Sequence, residues 1–174
     1  FEENILIKKF ENIKKPKEAI IEKIVREEFG DENDILIHYE HDKKRKKLYL
    51  YSMGNGRKVK NIVNEAKVIR IKPIQFYIKA LVESKIKKLR NYIIIIELRG
   101  IIYSLYIEEN FIVKSFMKNK NEFILSHELN DLENGSIVIM SKEVECIIPE
   151  EIKYKLHIIY LEIGEIINEK IFKV

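Results

Sequence analysis

Residues 91–117 decide the fold of this chain, and they read NYIIIIELRG IIYSLYIEEN FIVKSFM from Asn91 to Met117. The first run, 92–97, is almost continuously apolar and mostly β-branched, which is typical of a strand covered on both faces. Gly100 and the triplet 108–110 lie where turns are needed, because Gly and Asn tolerate positive φ. The stretch therefore predicts an antiparallel meander that forms half of a mixed sheet, with strands at 92–97, 101–107 and 111–117.

The bulk composition describes an ordinary globular protein. The chain has 174 residues, enough for one large or two small domains, and it is 46% hydrophobic and 34% charged. Its net charge of +4 comes from interspersed lysines and acids, so it lacks a dedicated nucleic-acid charge pattern. The lone Cys146 cannot form an internal disulfide, which suits a cytosolic location. The sequence begins at Phe1 rather than Met, which indicates a fragment of a longer protein.

Regular elements are predicted on both sides of the meander. Residues 40–47 read as an exposed hairpin loop, and helix 73–84 is expected to turn Ile74, Tyr77, Ile78 and Leu81 inward. Residues 85–91 are the one plausible seam between two domains, at 1–88 and 89–174. The remaining predictions are strand 4–8, helix 16–29, strands 35–39 and 48–52, helix 57–66, strand 67–72, helix 121–132, strand 136–140, a short helix near Pro149, strand 157–163 and a helical end.

The order of these elements carries a resemblance. A helix (16–29) leads into a hairpin (35–52) and a helix (57–66), and then a short strand and a helix opening Lys72-Pro73-Ile74-Gln75-Phe76 precede the buried strand. This order resembles the actin-like assembly proteins of type IV pilus machines, and it is similar to the L component of type II secretion systems. In those families a small inserted domain lies in front of the second actin-like half. The resemblance implies an α+β fold with mixed sheets: a ribonuclease-H/actin-like half with a small inserted α/β domain.

The chain departs from that resemblance where a nucleotide would bind. Actin-like ATPases place Asp-x-Gly and small hydroxylated residues after the opening strand of each half, where amides and hydroxyls hold phosphates. Here the position reads Glu97-Leu98-Arg99-Gly100-Ile101-Ile102, with isoleucines in place of the hydroxyls. A glycine-rich loop after strand 136–140 is also missing. We therefore expect no cofactor and no enzymatic activity.

Three other features invite a functional interpretation. Lys43, Lys44, Arg45, Lys46 and Lys47 would suit nucleic acid or anionic lipid headgroups, although a solvated hairpin loop needs no partner. His38, His41 and Asp42 are candidate metal ligands, but strand alternation puts His38 with Glu40 on one face and Tyr39 with His41 on the other. The strand tyrosines would suit base stacking, but packing is the simpler interpretation; they are Tyr49, Tyr51, Tyr103 and Tyr106.

The resemblance, together with the altered turn after Glu97, implies a non-enzymatic scaffold of a type IV pilus or type II secretion inner-membrane platform. Such a scaffold would lie on the cytoplasmic side of the plasma membrane, and its expected partners are proteins, an anionic lipid surface and a second copy of itself in a homodimer. The partner would dock along the edge strand of the small domain and along the hairpin 101–117, through Tyr103, Tyr106 and Lys114. The alternatives are a nucleic-acid-binding module that uses the basic loop and, third, an actin-like ATPase.

Overall fold

The secondary structure falls into two compact units, Phe1–Pro73 and Ile74–Val174. The computed structural model describes residues 4–30, 35–54, 72–86, 88–123, 129, 132–142, 144 and 150–162. The division after Pro73 precedes the predicted boundary at 88/89. Helix 74–85 is therefore grouped with the meander and not with the small domain to which the sequence assigned it.

Over its described residues, 4–30, 35–54 and 72–73, the first unit is a three-stranded antiparallel sheet covered by one helix. Its elements are β1 (Leu6–Phe10), α1 (Glu18–Phe29), β2 (Leu36–Asp42) and β3 (Lys47–Met53), with strand order β1-β3-β2. Ile21 and Val25 of α1 pack on Leu48 and Leu50 of the central strand. The helix ends at Gly30, whose φ of 77° is readily adopted by glycine, as the sequence predicted.

The predicted loop 40–47 is shorter than expected. Strand β2 continues to Asp42 and pairs Asp42 with Lys47, so only residues 43–46 form the turn. The charged run 40–47 predicts a loop, yet the side chains of residues 38–42 alternate between the two faces of the sheet, as a strand requires. The predicted loop 31–34, helix 57–66 and all but the last residue of strand 67–72 lie outside the described residues.

The second unit contains the meander, and all three predicted strands are confirmed. Its elements are α2 (Ile74–Lys85), β4 (Tyr92–Leu98), β5 (Ile101–Glu108), β6 (Phe111–Asn119), a single 3-10 turn (Lys120–Glu122), β7 (Ile137–Ser141), α3 (Glu150–Lys153) and β8 (His157–Leu161). The strand order is β6-β5-β4-β7-β8; β4–β5–β6 are antiparallel, while β7 runs parallel to both β4 and β8. The mixed sheet, the strand at 136–140, the short helix after Pro149 and the strand from His157 are thereby confirmed, with shifts of a residue or two.

Both faces of β4 are buried, as its continuous apolar run predicted. Ile93 and Ile95 belong to a core cluster with Ile102, Val138 and Met140, and Ile94 and Ile96 on the other face are fully buried. Of predicted helix 121–132, residue 129 is helical and buried in that cluster, and residues 121 and 122 belong to the 3-10 turn. Phe123 and Leu132 lie in no regular element, and the other residues are outside the described ranges.

Helix α2 buries a face that overlaps only partly with the predicted one: Ile78 is fully buried as predicted, whereas Ile74 and Leu81 are only partly buried. Its buried residues are Gln75, Phe76, Ile78 and Val82, whereas Tyr77 is 48% exposed. Apolar residues occur on most sides of this helix, so periodicity alone did not select the buried stripe. No helix within the described ranges combines the length and the apolar composition that crossing a bilayer requires.

Candidate functional site

The tight turn between β4 and β5 stands where the resemblance would place a phosphate loop. Arg99 and Gly100 both have positive φ, 51° and 79°, so the chain reverses in two residues. Pairing continues up to the turn, with Leu98 opposite Ile101. Ile101 and Ile102 are 9% and 2% exposed. The two residues that replace the hydroxyls are thus packed into the sheet.

Glu97, the acid before this turn, forms an ion pair with a lysine of the same chain. Lys120 follows the end of β6, and its backbone N–H donates to the carbonyl of Gly100 at 2.8 Å. Its Nζ lies 2.9 Å from Oε2 of Glu97, close enough for an ion pair, although the angles are not those of a hydrogen bond. The Glu97 side chain is 18% exposed. No sequence motif signals this pair, because it depends on the β5–β6 register.

The carboxyl ends of the parallel strands β4 and β7 also meet here. The backbone N–H of Glu97 donates to Oγ of the fully buried Ser141 at 3.3 Å. The next residue, Lys142, forms an exposed ion pair with Glu162 at the end of β8. At this edge the Ser141 hydroxyl therefore contacts a backbone amide, and the Glu97 carboxylate and the Lys142 ammonium group each form an ion pair.

The three residues predicted to bind a partner do not share one face of the hairpin β5–β6. Tyr106 pairs with Lys114, and Tyr103 pairs with Met117. Tyr103 and Tyr106 are an odd number of positions apart in one strand, so their side chains lie on opposite faces. Tyr103 is only 5% exposed, which leaves it no surface of its own to present.

Tyr106 and Lys114 are joined by a residue that the sequence reasoning missed. Lys114 Nζ lies 5.1 Å from the centroid of the Tyr106 ring and 4.7 Å from that of Phe116. The two rings meet edge to face, 6.0 Å apart at 86°. We call Tyr106, Lys114 and Phe116 the hairpin cluster. Its signal was available, because residues 114 and 116 must share a face of β6.

The basic turn, 43–46, is braced by an acid. Oδ1 of Asp42 accepts hydrogen bonds from the backbone N–H groups of Lys44 and Arg45, both at 3.0 Å. The bond from the Arg45 amide, with help from its guanidinium, lowers the pKa of Asp42. Lys43, Lys44, Arg45 and Lys46 are exposed, whereas Lys47 lies in β3 with its Nζ 3.9 Å from Glu11. Four exposed cations therefore remain on this turn.

The candidate metal ligands and the tyrosines considered for base stacking do not form a site in the described structure. The register places His38 beside Tyr51 and His41 beside Leu48, on opposite faces of the sheet, as alternation predicted. His41 Nε2 lies 2.8 Å from the carbonyl oxygen of Ile13. Among the described residues, no three His, Cys, Asp or Glu side chains are grouped as metal ligands would be. Tyr49 and Tyr51 are 5% and 0% exposed, so they offer no stacking surface.

Comparisons with known proteins support the fold. No protein-family profile matches the chain, and no curated protein matches it in sequence. Among solved structures it is similar to a Bacteroides thetaiotaomicron protein described as having an actin-like ATPase fold and unknown function. The TM-score is 0.55 at 9% identity, over 95% of this chain and 68% of that one. The chain thus has a mixed α+β, actin-like fold.

Proposed function

We propose that this chain is a non-enzymatic scaffold of a type IV pilus or type II secretion inner-membrane platform. It would work on the cytoplasmic face of the membrane and bind partner proteins. The observation that carries the proposal is the Glu97–Lys120 pair. The carboxylate that stands where the resemblance places the acid of an ATPase phosphate loop forms an ion pair with Lys120, which directly follows strand β6.

The residues around that pair support the same proposal. Phosphate sites need exposed backbone N–H groups and hydroxyls. Here the turn is followed by buried isoleucines, and the nearby Ser141 hydroxyl accepts a bond from the Glu97 amide. An actin-like fold without those groups retains its surfaces for binding proteins.

The proposed docking surface is the edge strand β6 with the hairpin cluster. Strand β6 is the terminal strand of its sheet among the described residues, so one side of its backbone is not paired within that sheet. Such an edge can accept a strand of another protein. The exposed Lys114, held over two rings, would add a charged and aromatic contact beside that edge.

A photo-crosslinking amino acid tests this proposal in cells. It is placed at the exposed Lys118 of β6 and, as a matched control, at the exposed Lys44 of the basic turn. The expected product joins position 118 to an inner-membrane component of a pilus or secretion platform, and Lys114→Glu removes it. Tyr103→Ala is avoided because it would open a cavity in the core.

Two other results would redirect the proposal. Crosslinks to nucleic acid at position 44 alone would favour the nucleic-acid-binding module, which the four exposed cations of the basic turn support. Hydrolysis of ATP by the purified chain would favour the actin-like ATPase. Either result without a platform crosslink at position 118 would contradict the scaffold.

A further inference from the structure

The first unit contains a groove that none of the features above uses. It lies between helix α1 and strand β2, with a volume of about 540 Å³. Its floor is made of Ile21, Val25, Ile35 and Ile37, which belong to the core cluster of this unit or pack against it. The groove therefore borders the hydrophobic core of this unit along one side of the helix.

The groove runs beside a strand edge. Strand β2 is terminal in the order β1-β3-β2, so among the described residues it is paired only with β3. Tyr39, from this strand, lines the groove and is 46% exposed. An extended segment lying here could bond to the β2 backbone and place alternate side chains over the apolar floor.

The opposite wall carries uncompensated negative charge. Glu18 and Glu22 line the groove from α1, one turn apart, and both are exposed. The later acids of α1 have partners, since Glu27 pairs with Lys23 and Glu28 with Lys8. Within the described part of the chain, Glu18 and Glu22 have no such cation, and no lysine or arginine lines the groove.

Helix formation explains the position of Glu18 but not that of Glu22. Glu18 lies in the first turn of α1, where a negative charge favours the helix dipole. Glu22 gains little from the dipole, and it repels Glu18 at the (i, i+4) spacing. A cation placed between them would relieve that repulsion.

We propose that this groove binds an extended segment of a partner protein whose side chains on one face, at every second residue, include both apolar residues and lysine or arginine. The segment would add to the β2 edge, bury its apolar side chains against Ile21, Ile35 and Ile37, and direct its cations to Glu18 and Glu22. This site is separate from strand β6, so it does not depend on the scaffold role.

The probe is a synthetic peptide with threonine at every second position and with valine and lysine in turn at the positions between, labelled for fluorescence anisotropy and titrated with the full chain. The control peptide carries glutamate in place of lysine. A third peptide is N-methylated at alternate residues, which blocks strand addition without changing charge. We expect saturable micromolar binding of the cationic peptide, weakened by salt, and no binding of the other two.

The protein variants separate the groove from general charge. Glu18→Gln with Glu22→Gln should weaken binding about tenfold. The matched control, Glu11→Gln with Glu27→Gln, has the same net charge outside the groove and should change it less than about twofold. Glu22→Gln alone, which spares the helix N-terminus, should show an intermediate loss if the double variant is unstable.

Three results would overturn the proposal. Wild-type protein that does not bind the cationic peptide would mean that the groove is closed, for example by another segment of this chain. Equal affinity in the groove and control variants would mean non-specific attraction. Self-association lost in the groove variant would make a second copy the occupant.

Discussion

A double-mutant cycle on Glu97 and Lys120 tests the ion pair on which the proposed function rests. The variants are Glu97→Gln, Lys120→Met and the two together. Coulomb's law in water gives about 1.4 kcal/mol at the observed separation of 2.9 Å. Partial burial of Glu97 strengthens this attraction, while salt and the side-chain entropy of Lys120, whose side chain is 37% exposed, weaken it. We expect a coupling free energy of about 1 kcal/mol.

The single variants should be unequal. Lys120→Met leaves a largely buried carboxylate without its cation and should lower the free energy of unfolding by about 1.5–2 kcal/mol. Glu97→Gln leaves a lysine that can turn to solvent and should cost about 1 kcal/mol or less. Urea denaturation of the four proteins at low salt measures both values. A coupling free energy below about 0.3 kcal/mol would refute the reasoning, since the carboxylate would then be available to a ligand.

Three further predictions concern the basic turn and helix α2. The pKa of Asp42 is lowered in the folded state, so its carboxylate stabilises the fold above its ordinary pKa, and this stabilisation is lost as pH falls through the folded-state pKa. Asp42→Ala should therefore lower the free energy of unfolding by about 1 kcal/mol at pH 7 and by little in acid, as measured by denaturation at both pH values. An equal loss at both pH values would contradict this. Replacing the five basic residues 43–47 together should abolish weak DNA retention at low salt and hardly change the melting temperature, whereas a sequence-selective complex that survives moderate salt would show another mode of binding. Phe76→Ala should cost about 3–5 kcal/mol and Tyr77→Ala under about 1 kcal/mol, and the reverse order in urea denaturation would restore the helix face predicted from sequence.

The meander could be predicted because its signals are local. A β-branched run, a glycine and a Glu-Glu-Asn triplet fix three strands and two turns without knowledge of distant residues. The face of α2 could not be predicted, because a helix with apolar residues on most sides is oriented by what it packs against. The polar end of β2 was interpreted as loop because its charges outweighed an alternation that was present in the sequence.

The candidate site was less accessible to prediction than the fold. Tyr106 and Lys114 were chosen from the sequence and do lie together, but burial of Tyr103 depends on the second face of β5 being covered, which one strand does not reveal. The Glu97–Lys120 pair joins the first strand of the meander to the residue that follows the third strand. It therefore depends on the register of the strands and on no sequence motif. Sequence reasoning also missed the groove beside α1, which Glu18 and Glu22 line.

Calorimetric titration of the full chain with ATP and magnesium tests the central claim most directly. We expect no heat of binding, because the carboxylate of Glu97 is held by Lys120 and buried isoleucines follow the turn. Lys120→Met is a useful companion, since it frees the carboxylate but leaves the isoleucines in place, and it should remain silent as well. Saturable binding of the nucleotide by the wild-type chain at micromolar concentrations would contradict the account.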